Sequence, residues 1–201
     1  MKKIILVLTA ALIAVSLVSC SGGKKTDDTT VPETTVPETT VPETTVPETT
    51  VPDTTEADPS VFEFEGLSVR LPEGFKLTEL NGVKTAVPGT YPDPADNITF
   101  VSSPSSQNDI EEMTAENLKS AFEQAYSGVG TISDFTYDRR KLDDHERIEC
   151  EFKTTIGEIV MNQKTCSCFF GGKCVTLTFT TVSAELADQL AAAYDSIQII
   201  K

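Results

Sequence analysis

Tryptophan is missing from this 201-residue chain, histidine occurs once, and cations are scarce: sixteen Lys and Arg face thirty-one Asp and Glu, for a formal charge of −15. That imbalance excludes a nucleic-acid binder, because phosphate contacts need clustered Lys or Arg and this chain repels a polyanion. Only one apolar stretch approaches membrane length, and it is N-terminal, which excludes a multi-span membrane protein. The sequence phrases of common catalytic centres are absent as well: there is no GxSxG, HExxH, P-loop or Rossmann glycine pattern. No motif calls for a cofactor or a metal, and the length allows one or two domains.

What is present begins with Met1-Lys2-Lys3, followed by an apolar run from Ile4 to Val18 broken only by Thr9 and Ser16. A positive leader and a run too short for a membrane span, which needs roughly 20 residues, mark residues 1–19 as a secretory signal peptide. The stretch Leu17-Val18-Ser19-Cys20 resembles the lipobox of bacterial lipoproteins: aliphatic at −3, small at −1, then cysteine. The resemblance implies diacylglyceryl transfer to the Cys20 thiol, cleavage before it and acylation of the new amino group. Two or more acyl chains anchor stably where one binds only marginally. Membrane lipid is then a partner through Cys20, and the protein sits on the extracytoplasmic face of the cell membrane. The competing reading is an ordinary cleaved signal peptide followed by an incidental cysteine.

Residues 20–59 form the next unit. VPETT starts at Val31, Val36, Val41 and Val46, and VPDTT at Val51. A period of five is too short for a solenoid repeat. Proline in every repeat forbids a continuous helix, disrupts a central strand and pushes each preceding valine toward extended geometry. The expectation is a semi-rigid disordered tether whose forty residues reach on the order of 120 Å at most in polyproline II. Lys24 and Lys25 stand against nine acids there, which disfavours collapse onto an anionic membrane. The threonine pairs are also the composition of O-glycosylated stalks.

Composition changes at about Ser60. Residues 60–201 hold twelve Lys and Arg, twenty-two Asp and Glu and all the aromatics, and a chain of this length buries roughly two-thirds of its unfolded surface. Phe62 and Phe64, then Leu67, Val69 and Leu71, alternate with polar residues about Gly66, which predicts a hairpin or bulge. Residues 75–95 read as loop-rich with one weak strand near Thr85 to Val87, and Asn97 to Ser102 as a better strand. The acidic segment Asp109-Ile110-Glu111-Glu112 reads as a solvated approach to a helix. That helix runs from a Thr114 cap to about Ser127, with Met113 and Leu118 as a hydrophobic staple and Leu118, Ala121, Phe122, Ala125 and Tyr126 on one apolar face. Strands follow at about 134–141, 146–154, 159–170 and 173–181, the last two joined by a Gly171-Gly172 turn. A Ser183-capped helix over 184–196 and a short apolar tail close the chain.

This order of elements, with the opening phrase FEFEGLSVRLPEGFK and the closing DSIQI, resembles the PsbP-like family across essentially all of 60–201. The resemblance implies an α+β fold: an antiparallel sheet with flanking helices, an α/β/α sandwich. Many members have a non-enzymatic accessory or binding role. No functional residue carries across, and fold alone does not set function.

Four cysteines lie in this domain, Cys150, Cys166, Cys168 and Cys174. An even number outside the cytoplasm invites a disulfide reading, with three connectivities. Cys166 and Cys168, two apart on one strand, have near-parallel Cβ vectors and suit a disulfide poorly. A Gly171-Gly172 turn sets Cys168 opposite Val175 and Cys174 opposite Phe169, on opposite faces. Cys150, on the neighbouring strand, meets Cys166 or Cys168 only if the register allows, and three converging thiols would suit a soft metal. Unpaired core thiols, one or two disulfides, and metal or redox chemistry all stay open. His145, in Asp143-Asp144-His145-Glu146, reads as part of a solvated turn, against a metal ligand or general base beside carboxylates. The functional expectation is a monomeric binding or accessory domain for a protein or small-molecule ligand. Its rival is an extracytoplasmic hydrolase or thiol-redox or metal-binding enzyme with dispersed site residues; a purely structural envelope component is a third reading. A polar pocket holding His145 or a solvent-open cysteine would mark an enzyme.

Overall fold

Period-two alternation builds strands wherever one face of the chain must be buried, and in this domain that holds for most of its length. The computed structural model describes Asp58, residues 60–89 and residues 96–200. The signal peptide, Cys20 and almost all of the tether lie outside the described residues, so the divisions at 1–19, 20–59 and 60–201 remain sequence readings.

Ten strands and three helices are present among the described residues. The strands are β1 (Val61–Phe64), β2 (Leu67–Arg70), β3 (Phe75–Leu80), β4 (Val83–Pro88), β5 (Asn97–Pro104), β6 (Thr131–Leu142), β7 (His145–Ile156), β8 (Ile159–Phe170), β9 (Lys173–Thr181) and β10 (Gln198–Ile199). The helices are α1 (Gln107–Glu112), α2 (Ala115–Tyr126) and α3 (Ala184–Asp195). Seven strands form one antiparallel sheet in the order β3-β4-β5-β9-β8-β7-β6, and β1, β2 and β10 form a second, small sheet.

Each face of the large sheet has its own core. On one, Phe122 and Tyr126 of α2 pack on Ile148, Cys150, Phe152 and Met161. On the other, Leu190, Ala193 and Tyr194 of α3 and Leu67 and Val69 of β2 cover Ile98, Phe100, Cys166, Cys168, Val175, Leu177 and Phe179. The expected α+β architecture, an antiparallel sheet with flanking helices, is the one found.

The predicted caps are made. The Thr114 side chain accepts from Asn117 N at 3.2 Å, and Ser183 accepts from Glu185 N at 3.2 Å. The latter helix start is held further by Asp96, whose Oδ1 accepts from Val182 N at 2.8 Å and Ser183 N at 3.0 Å. Gly171 and Gly172 both have positive φ, 58° and 74°, as a two-residue hairpin turn of matching twist requires.

Two expectations need correction, and the apolar tail gains a role. Residues 75–80 are a strand, β3, paired with β4 across an Asn81-Gly82 turn, where a loop was expected. Residues 107–112 are a short helix rather than an irregular approach, capped by Ser106, which accepts from Asp109 N while the Asp109 carboxylate accepts from Ser106 N. The tail pairs with β2 through Gln198 and Ile199 and so closes the small sheet.

Candidate functional site

The register expected from the Gly171-Gly172 turn is met: Cys168 lies opposite Val175, Cys166 opposite Leu177 and Cys174 opposite Phe169. The β7–β8 register then separates Cys150 from the pair. Cys150 lies opposite Thr165, so it points to the α2 side with Cys174, while Cys166 and Cys168 point to the α3 side. Three thiols therefore do not converge. The physical reason is the Gly157-Glu158 turn, which pairs Ile156 with Ile159 and leaves Cys150 one position from the residue opposite Cys166 and three from the residue opposite Cys168, both odd offsets that put it on the other face.

Cys150, Cys166 and Cys168 are free thiols, and all four domain cysteines are buried. Cys166 and Cys168 are 0% exposed and their sulfurs are 3.7 Å apart, a thiol hydrogen bond and well beyond a covalent S–S bond. Directly across the strand pair, Arg147 faces Cys168 and Glu149 faces Cys166. Neighbours of this kind bring Cβ atoms to within about 5.5 Å. Arg147 is buried, ion-paired to Glu149, and its guanidinium lies 5.3 Å from the Tyr194 ring centroid. Arg140 at the surface shares Glu149, and Lys164 Nζ sits 4.0 Å from the same Tyr194 ring. A chain of charge thus runs from the surface down to two thiols under α3.

The electrostatics divide the two sulfurs. The hydrogen bond shared with Cys168, together with burial, pushes the Cys166 thiol up. The hydrogen bond from Cys166 holds the Cys168 thiol below its ordinary value, and Arg147 pulls the same way against burial. Either sulfur can donate in this contact, and negative charge is favoured on Cys168 over Cys166. At Cys150 burial outweighs a hydrogen bond from Thr165 and pushes the thiol up to about 12.

His145 does not join this group. It opens β7 opposite Leu142, just after the Asp143-Asp144 turn, with its ring 5.7 Å from that of Phe170. Among the described residues no cluster of three or more His, Cys, Asp or Glu is arranged to hold a metal ion. Arg139-Arg140-Lys141 lies on edge strand β6, where Arg139 pairs with Glu146 at 3.0 Å.

Sequence reading missed a second feature, on the α2 side of the sheet. Thr85, Thr99, Thr178 and Thr165 align across β4, β5, β9 and β8, and Asn97, Thr180 and Gln163 align beside them. All seven are buried. Gln163 Nε2 donates to the Tyr126 hydroxyl at 2.7 Å, whereas Thr180 Oγ1 is buried without a hydrogen-bond partner. Buried polar side chains in place of a valine core are the informative departure in a sheet. The Thr-x-Thr-x-Thr spacing of 176–180 was the available signal.

No protein-family model matches this chain, and no curated protein matches it. Solved structures do. The chain is similar to a cyanobacterial PsbP (CyanoP) from Synechocystis sp. PCC 6803 at 15% identity, with TM-score 0.52, over 67% of this chain and 86% of that one. A looser likeness, TM-score 0.45 at 11% identity over 73% of this chain and 88% of the other, is to LpqN, a protein involved in cell envelope biogenesis of Mycobacterium tuberculosis. The fold is the PsbP-like sandwich. At such identity the likeness carries the fold and no residue role.

No helix among the described residues is long and apolar enough to cross a membrane.

Proposed function

We propose that this chain is a lipid-anchored extracytoplasmic lipoprotein that presents a PsbP-like domain as a binding or accessory module on an acidic tether. The observation that carries the reading is the order of three segments: an apolar leader ending in Leu17-Val18-Ser19-Cys20, a Pro/Thr/Glu spacer, and a domain whose described structure begins at Asp58. An anchor followed by a long self-repelling spacer serves presentation, because it holds a domain at the membrane while letting it search tens of ångströms of space. The four buried domain cysteines and the isolated His145 support a binding role over hydrolase or thiol chemistry at a solvent-open site.

Detergent phase partitioning of cells expressing the full chain, with fatty-acid labelling, tests the anchor. The wild type enters the detergent phase carrying label, and Cys20→Ser appears unlabelled in the aqueous phase. Label that persists in Cys20→Ser, or an unlabelled aqueous wild type, overturns the anchor. Pull-down from envelope fractions with the 60–201 domain tests the binding role, and repeated failure to recover a partner counts against it.

A further inference from the structure

We propose that Cys166 and Cys168 form a two-sulfur site for a soft monovalent cation of the Cu(I) class, with Arg147 as the fixed countercharge. The inference goes beyond the binding module proposed above and does not depend on its anchor.

Donor type comes first. Thiolates select soft ions such as Cu(I), and two of them on one strand face form a chelate whose donors are already ordered. The sulfurs stand 3.7 Å apart with no covalent bond between them. Near-parallel Cβ vectors at positions i and i+2 oppose disulfide closure but allow both sulfurs to reach one ion. With metal–sulfur bonds of about 2.2 Å, the sulfurs need separate by only about 0.7 Å even for a linear arrangement, within the range of small χ1 adjustments.

Coordination number then discriminates between ions. Zn(II) takes four ligands in its structural sites, and among the described residues no third or fourth His, Cys, Asp or Glu completes such a set. Cu(I) is satisfied by two. Charge points the same way. Two thiolates and one monovalent ion leave a single negative charge, and it stands beside Arg147, opposite Cys168 and buried against Tyr194, whose carboxylate partner Glu149 is shared with a second cation, Arg140. Loading requires loss of the Cys166 proton, and of the Cys168 proton where it is present. Both pass to solvent, so nothing is oxidised or reduced. Lys164 and Arg140, long side chains that lie partly in solvent, join this group to the surface.

The test is anaerobic titration of the full chain with Cu(I) against a chromophoric Cu(I) chelator. Cys20→Ser serves as the common background, so that the leader cysteine cannot bind. One tightly held ion per chain is expected. Cys166→Ala and Cys168→Ala should each lower the affinity at least about 100-fold, and Arg147→Gln about 10-fold, the loss usual for a group that supports metal ligands. The double variant Cys150→Ala/Cys174→Ala should bind as the background does. Because a buried substitution can loosen the fold, the thermal midpoint of each variant is measured with and without Cu(I). Binding to the native state raises it in the background and in the Cys150→Ala/Cys174→Ala variant, and leaves it unmoved in the Cys166→Ala variant. Failure of the background protein to compete for Cu(I), or equal binding by folded Cys166→Ala, overturns the proposal.

Discussion

Cys150 shows what a single buried residue contributes. The thiol ionises near 9.0 in an unfolded chain, whereas burial against Phe152 and Ile148 keeps it protonated up to about 12. The folded state therefore holds more protons than the unfolded state between these values. Stability associated with this group is intact below pH 9 and declines as pH rises from about 9 to 12, by on the order of a few kcal/mol in total. Burial raises Tyr126 and Tyr194 as well, so their effect has the same sign, while Cys168, held low, acts in the opposite sense. Urea unfolding from pH 8 to pH 11 should show falling stability, with a shallower fall in Cys150→Ala. A wild-type curve that rises across that range would contradict this assignment. Thiol reagents at neutral pH should label the domain cysteines slowly in the folded chain and promptly in denaturant.

At the same scale, Gly66 is fixed by two independent constraints. Its φ is 97°, and a Cβ there would stand 2.6 Å from Phe170 Cε2. Gly66→Ala should destabilise the domain by about 2–3 kcal/mol in equilibrium unfolding, from left-handed backbone strain and displacement of the Phe170 ring together. A loss below 0.5 kcal/mol or so would mean that the β1–β2 hairpin does not dock as described.

Elements are held together here by short polar devices at their ends. Asp96, just before β5, satisfies two backbone N–H groups at the start of α3, eighty-six and eighty-seven residues later. Asp96→Ala should cost about 1–2 kcal/mol, with Asp96→Asn less damaging because one amide oxygen still accepts. Chemical denaturation of the three proteins measures the order.

Local patterns made most elements readable. Helices α2 and α3 announced themselves through Thr114 and Ser183 caps and apolar positions at three-four spacing, and the long strands through alternation. The strand β3 was missed because it is an edge strand: Leu77 remains 44% exposed, so no buried face imposes alternation. Its Asn81-Gly82 turn was the overlooked signal, as Asn-Gly between strand-like runs is a strong hairpin cue. The short helix α1 likewise carried a Ser106-to-Asp109 capping box that was not used. The face of Cys150 was legible in principle from Gly157-Glu158, by the logic that placed Cys166 and Cys168 correctly. The position of Arg147 beside Cys168 follows from that same register, but its burial under Tyr194 does not.

Over the whole molecule, the proposal that anchor, tether and domain are separable parts makes its own prediction. Among the described residues, the first contacts of the domain are those of Asp58, which accepts from Val61 N at 2.9 Å and Ser60 N at 3.0 Å. Deleting 31–55 should therefore leave the thermal midpoint within about 2 °C of the parent, a shift worth well under 1 kcal/mol for a domain of this size. A larger change would show that repeats pack on the fold. The same deletion in cells should keep the protein membrane-bound while shortening its reach, measurable by crosslinkers of graded length.

By itself the sequence carries the proposed division into leader, spacer and domain, and it determined the sites of most strands and helices and the opposite facing of Cys174 from Cys166 and Cys168. Those properties depend on composition, periodicity and two-residue turns, all written over a few consecutive positions. Only the tertiary structure decided the strand order β3-β4-β5-β9-β8-β7-β6, the splitting of the cysteines between two cores, and the burial of Arg147 against Tyr194 above two thiols. Such neighbours are brought together by packing α3 onto β8 and by pairing β5 with β9 about eighty residues on. Contacts over that separation are chosen by the global burial of apolar surface, which no local pattern encodes.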